Sequence, residues 1–197
     1  MVQKFEFEAP SWNQVYDLIL NLSRKIRTSR FCPEVIVGVS RGGWLPARVL
    51  TDLLEISNLD FVRTEFYQGV GGAKEEPVLT QSISIGVANR KVLIVDDIID
   101  TGESLKVVRE HIMEKVASEA RIATVFYKPW SIIVPDYFGK KTTRWVVFPW
   151  EVKETIRWIV KTSKERKRPW EEEIAKLEKA GVSAELIDRF LQELFEE

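Results

Sequence analysis

Apolar and polar positions alternate along this chain with two distinct periods. Trp12, Val15, Tyr16, Leu18, Ile19 and Leu22 recur at three- and four-residue steps, the spacing that lines one face of a helix. A helix is therefore expected over 11–30, with Ser11 as its cap. WLPARVLTDLLE (44–55) and ESLKVVREHIMEKV (103–116) carry the same period, and Pro46 is tolerated in a first turn. Short runs rich in β-branched residues read instead as buried strands: VIVGVS (35–40), FVRTEFY (61–67), KVLIVDD (91–97), ARIATVFYK (120–128) and RWVVFPW (144–150). Between 69 and 86 the glycine-rich, polar sequence loses its period, which predicts a long mobile loop or a hairpin.

Strands alternate with helices from 35 to 128. That order predicts an α/β fold with a mainly parallel sheet and helices on its faces. Ligands of such sheets bind beyond the carboxyl ends of the strands. Three of those ends carry unusual chemistry: SRGG after 39, DDIIDTGES after 95 and KPW after 127. The tail differs in character. KTSKERKR (161–168) reads as a basic linker, Pro169 opens a helical stretch with acids at 171–173, and Gly181 stops it. Ser183 caps a last helix bearing Leu186, Ile187, Phe190, Leu191 and Leu194.

Composition narrows the function classes. Hydrophobic residues make up 45% and charged residues 30%, and the net charge is −1. Such a balance gives no global attraction to nucleic acid, membranes or acidic partners, so function must sit in a local site. No apolar run approaches the ~20 residues that span a bilayer, and MVQKFEFEAPSW lacks a signal-peptide core. The lone Cys32 rules out an intrachain disulfide framework. A cytoplasmic protein is expected. His111 stands mid-helix, away from every motif, and reads as a surface or packing residue.

VLIVDDIIDTGES (92–104) holds the most specific chemistry. Its second half sits at a strand-to-helix turn, where backbone N–H groups, hydroxyls and a close-approach glycine cradle a phosphate. It is not a Walker loop, since GxxxxGK[ST] is missing. Acids beside a phosphate are consistent if they bind sugar hydroxyls, a Mg²⁺ ion, or a proton on a base. SRGG (40–43) adds a second glycine turn, with Arg41 bringing positive charge. A sugar phosphorylated at both ends meets the demand of two anion sites flanking a polyol site.

VLIVDDIIDTGES resembles the phosphoribosyl pyrophosphate (PRPP) motif of type I phosphoribosyltransferases, and VIVGVSRGG resembles their pyrophosphate loop. ATVFYKP and RWVVFPWE resemble the purine-binding segments of the 6-oxopurine branch, with the bacterial xanthine–guanine enzymes as the nearest pattern. The resemblance runs over roughly 12–151. It implies a phosphoribosyltransferase core with a small purine-binding hood over 1–151 and a helical extension over 152–197. By resemblance, Asp96 and Asp97 hold the ribose hydroxyls, directly or through Mg²⁺. Asp100 lies near purine N7 as general acid/base. Thr101, Gly102, Glu103 and Ser104 cradle the 5′-phosphate. Ser40, Arg41, Gly42 and Gly43 bind pyrophosphate. Lys128 donates to the 6-oxo group, Trp145 stacks on the purine, and the Val146 backbone reads its edge. Glu151 matches an acid that reaches Mg²⁺–pyrophosphate, and Tyr67 an aromatic that opens the flexible catalytic loop. The partners implied are PRPP and a purine base, with neither nucleic acid nor membrane, in a homo-oligomer (dimer or tetramer).

The chain departs from that pattern at three places. Phe66-Tyr67 stands where a Ser-Tyr pair is usual. TQSISIG (80–86) replaces a basic pair, for which Lys74 is a candidate substitute. Val147 stands where the nearest relatives carry an acid. The choice among guanine, hypoxanthine and xanthine is therefore open. Two rival readings follow from the same residues: a regulator of the same fold that senses PRPP or a nucleotide, and a phosphoribosyltransferase for another base. Asp100 opposes the first, and Lys128 opposes a 6-amino base.

Overall fold

A computed structural model describes residues 6–67 and 76–196. The elements follow in the order β1 (Phe7–Glu8), α1 (Trp12–Thr28), β2 (Val35–Ser40), α2 (Trp44–Leu54), β3 (Leu59–Tyr67), β4 (Glu76–Gln81), β5 (Lys91–Ile99), α3 (Glu103–Glu114), β6 (Glu119–Tyr127), β7 (Tyr137–Lys141), β8 (Trp145–Val146), α4 (Val152–Glu165), α5 (Glu171–Lys179) and α6 (Ala184–Glu196). They divide into two compact units. One is Asp17–Thr142; the other joins the described residues of Met1–Tyr16 to those of Thr143–Glu197. No helix among the described residues is long and apolar enough to cross a membrane.

The Asp17–Thr142 unit is built on a six-stranded sheet in the order β4-β3-β2-β5-β6-β7. Every neighbouring pair is parallel except β3 with β4. Strands covered on both faces need apolar residues at every position. Val35, Ile36 and Val37 in β2 and Val92 to Val95 in β5 meet that need, all fully buried. Helix α3 turns Leu105, Val108 and Ile112 onto the same core, where they meet Val37, Ile94 and Ile122. Each such side chain stabilises the fold by about 1.5–3 kcal/mol. The loss of one, as in Ile112→Ala, would cost about 2–5 kcal/mol because a cavity remains.

The expected helix N-terminus at Ser11 is present as a reciprocal cap. Ser11 Oγ accepts from the Gln14 N–H at 3.3 Å, and Gln14 Oε1 accepts from the Ser11 N–H at 2.8 Å. The segment expected as loop or hairpin is in part a hairpin, since β4 pairs antiparallel with β3. Residues 68–75, including Lys74, lie outside the described residues, as does the Tyr67 side chain.

In the second unit, β1 and β8 pair in parallel, Phe7 opposite Trp145 and Glu8 opposite Val146. Around them, Phe7, Val147, Ile156, Ile159, Leu177 and Ile187 form a core that α4, α5 and α6 share. Lys153 on α4 donates to Glu193 on α6 at 2.7 Å. Gly181, at φ 121°, lets the chain turn after α5. Ser183 Oγ then accepts from the Leu186 N–H at 3.3 Å and caps α6, as its position predicts.

Several expectations are corrected. The strand expected over 144–150 contracts to Trp145–Val146. Pro149 has no N–H for a ladder, and the Glu151 N–H turns back to the Phe148 carbonyl. The basic run from Lys161 is not wholly linker, because α4 continues to Glu165 with Val160 and Ser163 buried. Strand β7 was not anticipated: YFGKK carries a glycine and two lysines, which dilute the strand signal at a sheet edge.

Candidate active site

Strand β5 runs on to Ile99, so Asp96 and Asp97 belong to the strand itself rather than to the turn beyond it. Both acids accept local backbone bonds, Asp96 Oδ1 from the Asp97 N–H at 3.0 Å and Asp97 Oδ1 from the Ile98 N–H at 2.7 Å. Asp97 is buried and Asp96 half-buried, whereas Asp100 and Thr101 are exposed. Gly102 follows at φ 86°, a conformation that favours glycine. A Cβ there would also meet Ser131 Oγ at 2.5 Å. Helix α3 starts at Glu103, and Thr101 Oγ1 accepts the Glu103 N–H at 3.4 Å. Thr101, Gly102, Glu103 and Ser104 thus wrap a helix N-terminus, where the dipole and open N–H groups favour an anion.

The second glycine turn lies on the same rim. Strand β2 ends at Ser40, the Ser40–Arg41 peptide is cis, and Gly43 caps α2 with its N–H bonded to the Val39 carbonyl at 2.8 Å. A Cβ on Gly42 would collide with the carboxylate of Asp97, and one on Gly43 with the Val95 carbonyl. The turn therefore packs directly against β5. Arg41 is exposed, and Trp44 Nε1 donates to Ser40 Oγ at 2.7 Å.

A third loop joins them from β6. Lys128 is buried, 4% exposed, with Nζ 5.2 Å from the centre of the Trp130 ring. A buried ammonium needs compensation, and the ring face provides part of it. Trp130 Nε1 in turn donates to Asp100 Oδ1 at 2.7 Å. The sequence marks Trp130 only as the end of the strand-end KPW; its contact with Asp100, thirty residues away in the chain, comes from the fold.

A cavity of about 310 Å³ opens at the acidic turn, lined by Phe66, Asp96, Asp100, Thr101, Gly102 and Ser104, with apolar walls from Ile98, Ile99 and Leu105; Lys128 and the SRGG turn do not line it. Among the described residues no three His, Cys, Asp or Glu gather as a metal cage. Mg²⁺ characteristically takes one or two carboxylates and completes its shell with water and substrate phosphates. Asp96, which lines the cavity, offers one such carboxylate, while the Asp97 carboxylate lies against Gly42. His111 stands apart, as expected: its Nε2 lies 2.9 Å from Ser82 Oγ. Burial, and then the charge of Lys115, hold its pKa below the ordinary value.

The remaining expected residues belong to the other unit. Trp145 stacks on Trp158, centroids 5.1 Å apart, and stays 41% exposed. The N–H groups of Trp145 and Val147 bond to the Glu6 and Glu8 carbonyls. Alternation along a strand therefore turns the main-chain groups of Val146 away from β1. Glu151 is the N-cap residue of α4, with its carbonyl accepting from the Thr155 N–H at 2.8 Å.

Glycine turns and acids gathered at the carboxyl ends of a mainly parallel sheet place this chain among α/β proteins, whose ligands bind beyond those strand ends. Comparison with known proteins makes the class specific. The chain belongs to the phosphoribosyl transferase domain family, whose model matches residues 11–157. It is 30% identical over 126 residues to a xanthine-guanine phosphoribosyltransferase of Ruegeria sp. (strain TM1040), covering 60% of this chain and 69% of that protein. The structure of a purine phosphoribosyltransferase from Pyrococcus horikoshii Ot3 is similar at 40% identity and a TM-score of 0.67, over 74% of this chain and 93% of that one. A Helicobacter pylori xanthine-guanine-hypoxanthine phosphoribosyltransferase shares the fold at 23% identity and a TM-score of 0.65, over 76% and 96% of the two chains.

Proposed function

We propose that this protein is a purine-salvage phosphoribosyltransferase of the 6-oxopurine branch. It would transfer the 5-phosphoribosyl group of PRPP to guanine, hypoxanthine or xanthine, giving the nucleoside monophosphate and pyrophosphate. The observation that carries the reading is the contact between the two glycine turns' neighbours: Gly42 has no room for a Cβ because the Asp97 carboxylate fills it. One anion turn is thereby packed against the acid proposed for the ribose.

In the proposed reaction the bond from the anomeric carbon to pyrophosphate breaks. A bond from a purine ring nitrogen to that carbon forms, and the base gives its imidazole proton to Asp100. The residues Thr101 to Ser104 hold the 5′-phosphate, and Ser40 to Gly43 hold the departing pyrophosphate. Lys128 donates to the 6-oxo group, which favours an oxopurine over a 6-amino base. The roles of Trp145 in stacking, of Val146 in reading the purine edge and of Glu151 near the metal follow from the family resemblance. Mg²⁺, held by Asp96 and Asp97 together with substrate oxygens, would neutralise charge on the leaving group. Alignment of the two substrates supplies much of the remaining acceleration. A cytoplasmic homo-oligomer completes the proposal.

The test is a panel assay. The protein is incubated with Mg²⁺, PRPP and each of hypoxanthine, guanine, xanthine, adenine and uracil, and pyrophosphate release is followed. Turnover with oxopurines alone is the expected result. Folded protein that binds PRPP and turns over no base would overturn it in favour of a sensor.

A further inference from the structure

Trp130 touches both groups assigned to the base, and nothing in the family resemblance gives it a role. Its indole N–H donates to Asp100 Oδ1 at 2.7 Å, and its ring lies 5.2 Å from Lys128 Nζ. The side chain is 53% exposed. An exposed indole ordinarily satisfies its N–H with water, so burial does not force this bond. The backbone does. The Lys128 N–H bonds to the Ile99 carbonyl at 2.9 Å, the Ile132 N–H to the Thr101 carbonyl at 2.9 Å, and the Ser131 N–H to the Lys128 carbonyl at 3.2 Å. The first two bonds fasten the turn 128–132 to the segment 99–101, and the third closes the turn on itself. Gly102 then leaves no space for a side chain beside Ser131. The turn that carries Trp130 is thus held in register with the segment that carries Asp100.

We infer that Trp130 is a positioning residue, whose indole N–H occupies one oxygen of Asp100 and so orients the other toward the reacting base. The inference rests on the acid/base role proposed above for Asp100. A carboxylate at the exposed end of a strand turns freely about its side-chain torsions. Fixing one oxygen with a charge-assisted hydrogen bond removes that freedom before the base arrives. The ring face meanwhile lies against the Lys128 ammonium, so a single side chain contacts both the proposed proton acceptor and the proposed donor to the 6-oxo group. Trp130 itself exchanges no proton and forms no bond with substrate.

Trp130→Phe separates the two contacts, because it keeps a ring over Lys128 and deletes only the N–H. The expected result is a loss of kcat of roughly 10- to 150-fold, the range for a hydrogen bond to a charged group, with KM for PRPP changed less than about two-fold. In an Asp100→Asn background the same substitution should add nothing, since there is no carboxylate left to orient. The Trp130 indole proton resonance, assigned by its disappearance in Trp130→Phe, should shift in Asp100→Ala. An active wild type with an unchanged Trp130→Phe, an equal loss in the Asp100→Asn background, or an unmoved indole resonance would each overturn the positioning role alone. A wild type that binds PRPP and turns over no base would overturn the proposed reaction and the positioning role with it. Circular dichroism and thermal unfolding of each variant check that it is folded.

Discussion

Gly42 and Asp97 fill adjoining space so closely that the smallest possible side chain on the glycine would lie inside the carboxylate. Two separate strand ends are thereby registered against each other by the absence of an atom. Gly42→Ala should displace either the SRGG turn or Asp97. A shift of about 1 Å at reacting groups costs on the order of 100-fold in rate. We expect kcat/KM for PRPP to fall by that order with the circular dichroism unchanged. An alanine variant with native kinetics would mean that the turn is not a binding element.

Asp100→Asn keeps the size of the side chain and its bond from Trp130 but removes its basicity. Turnover should fall by about 10²–10⁴-fold, the usual contribution of a general base, while PRPP affinity stays within a few-fold. Isothermal titration with PRPP beside steady-state kinetics separates the two quantities. Equal losses in both would contradict the acid/base role.

Lys128→Ala should raise KM for oxopurines and narrow the preference over adenine, leaving PRPP binding nearly intact. The readout is the ratio of kcat/KM values across the base panel. An unchanged ratio would remove Lys128 from the base site.

Asp60 predicts a pH-dependent stability. Its carboxylate accepts from the N–H groups of Phe61 at 2.8 Å, Ser84 at 2.5 Å and Ile85 at 2.8 Å, and from Ser84 Oγ at 3.0 Å. Burial alone would raise its pKa, but these donors outweigh burial and hold it below the ordinary 3.8. A carboxyl depressed in the folded state stabilises fully above its unfolded value and loses that contribution as pH falls through its folded one. Asp60→Asn should therefore lower the urea midpoint near neutrality, with the difference from wild type closing below about pH 4. A difference constant from pH 7 to pH 3 would assign the effect to packing instead.

Removal of α5 and α6 by a stop after Arg168 should destabilise the unit they belong to. Ile174, Leu177 and Ile187 pack with Phe7, Val147, Ile156 and Ile159, and each lost contact partner is worth about 1.5–3 kcal/mol. A lower thermal midpoint, with increased binding of a hydrophobic dye, is the expected outcome. Native stability after truncation would show the helices to be dispensable appendages.

The sheet was legible in the sequence because its strands are buried on both faces: VIVGVS and KVLIVDD admit little but a core strand. Ser11 and Ser183 announced their helices through capping chemistry. What escaped lay where patterns are short or mixed. β1 and β8 hold two residues each, too few for a period to form. Helix α4 was interrupted in reading by its own charges, although Val152, Ile156, Ile159 and Val160 recur at helical steps. At the site, the acids and glycine turns were legible as motifs. Their mutual packing was not, since the Gly42–Asp97 and Trp130–Asp100 contacts join residues distant in sequence.

Val92 to Val95 of β5 pair with β2 on one side and with β6 on the other, and Asp96 follows them in the ladder to β6. Amides at the middle of a parallel sheet exchange their hydrogens only when the whole domain opens. Asp96 therefore stands directly on the part of the fold that opens last rather than on a surface loop. In a hydrogen-exchange experiment the amides of Val92 to Val95 should be among the last to accept deuterium. Ligand would then slow exchange chiefly at Arg41 to Trp44 and Thr101 to Ser104, beside a strand that was already still.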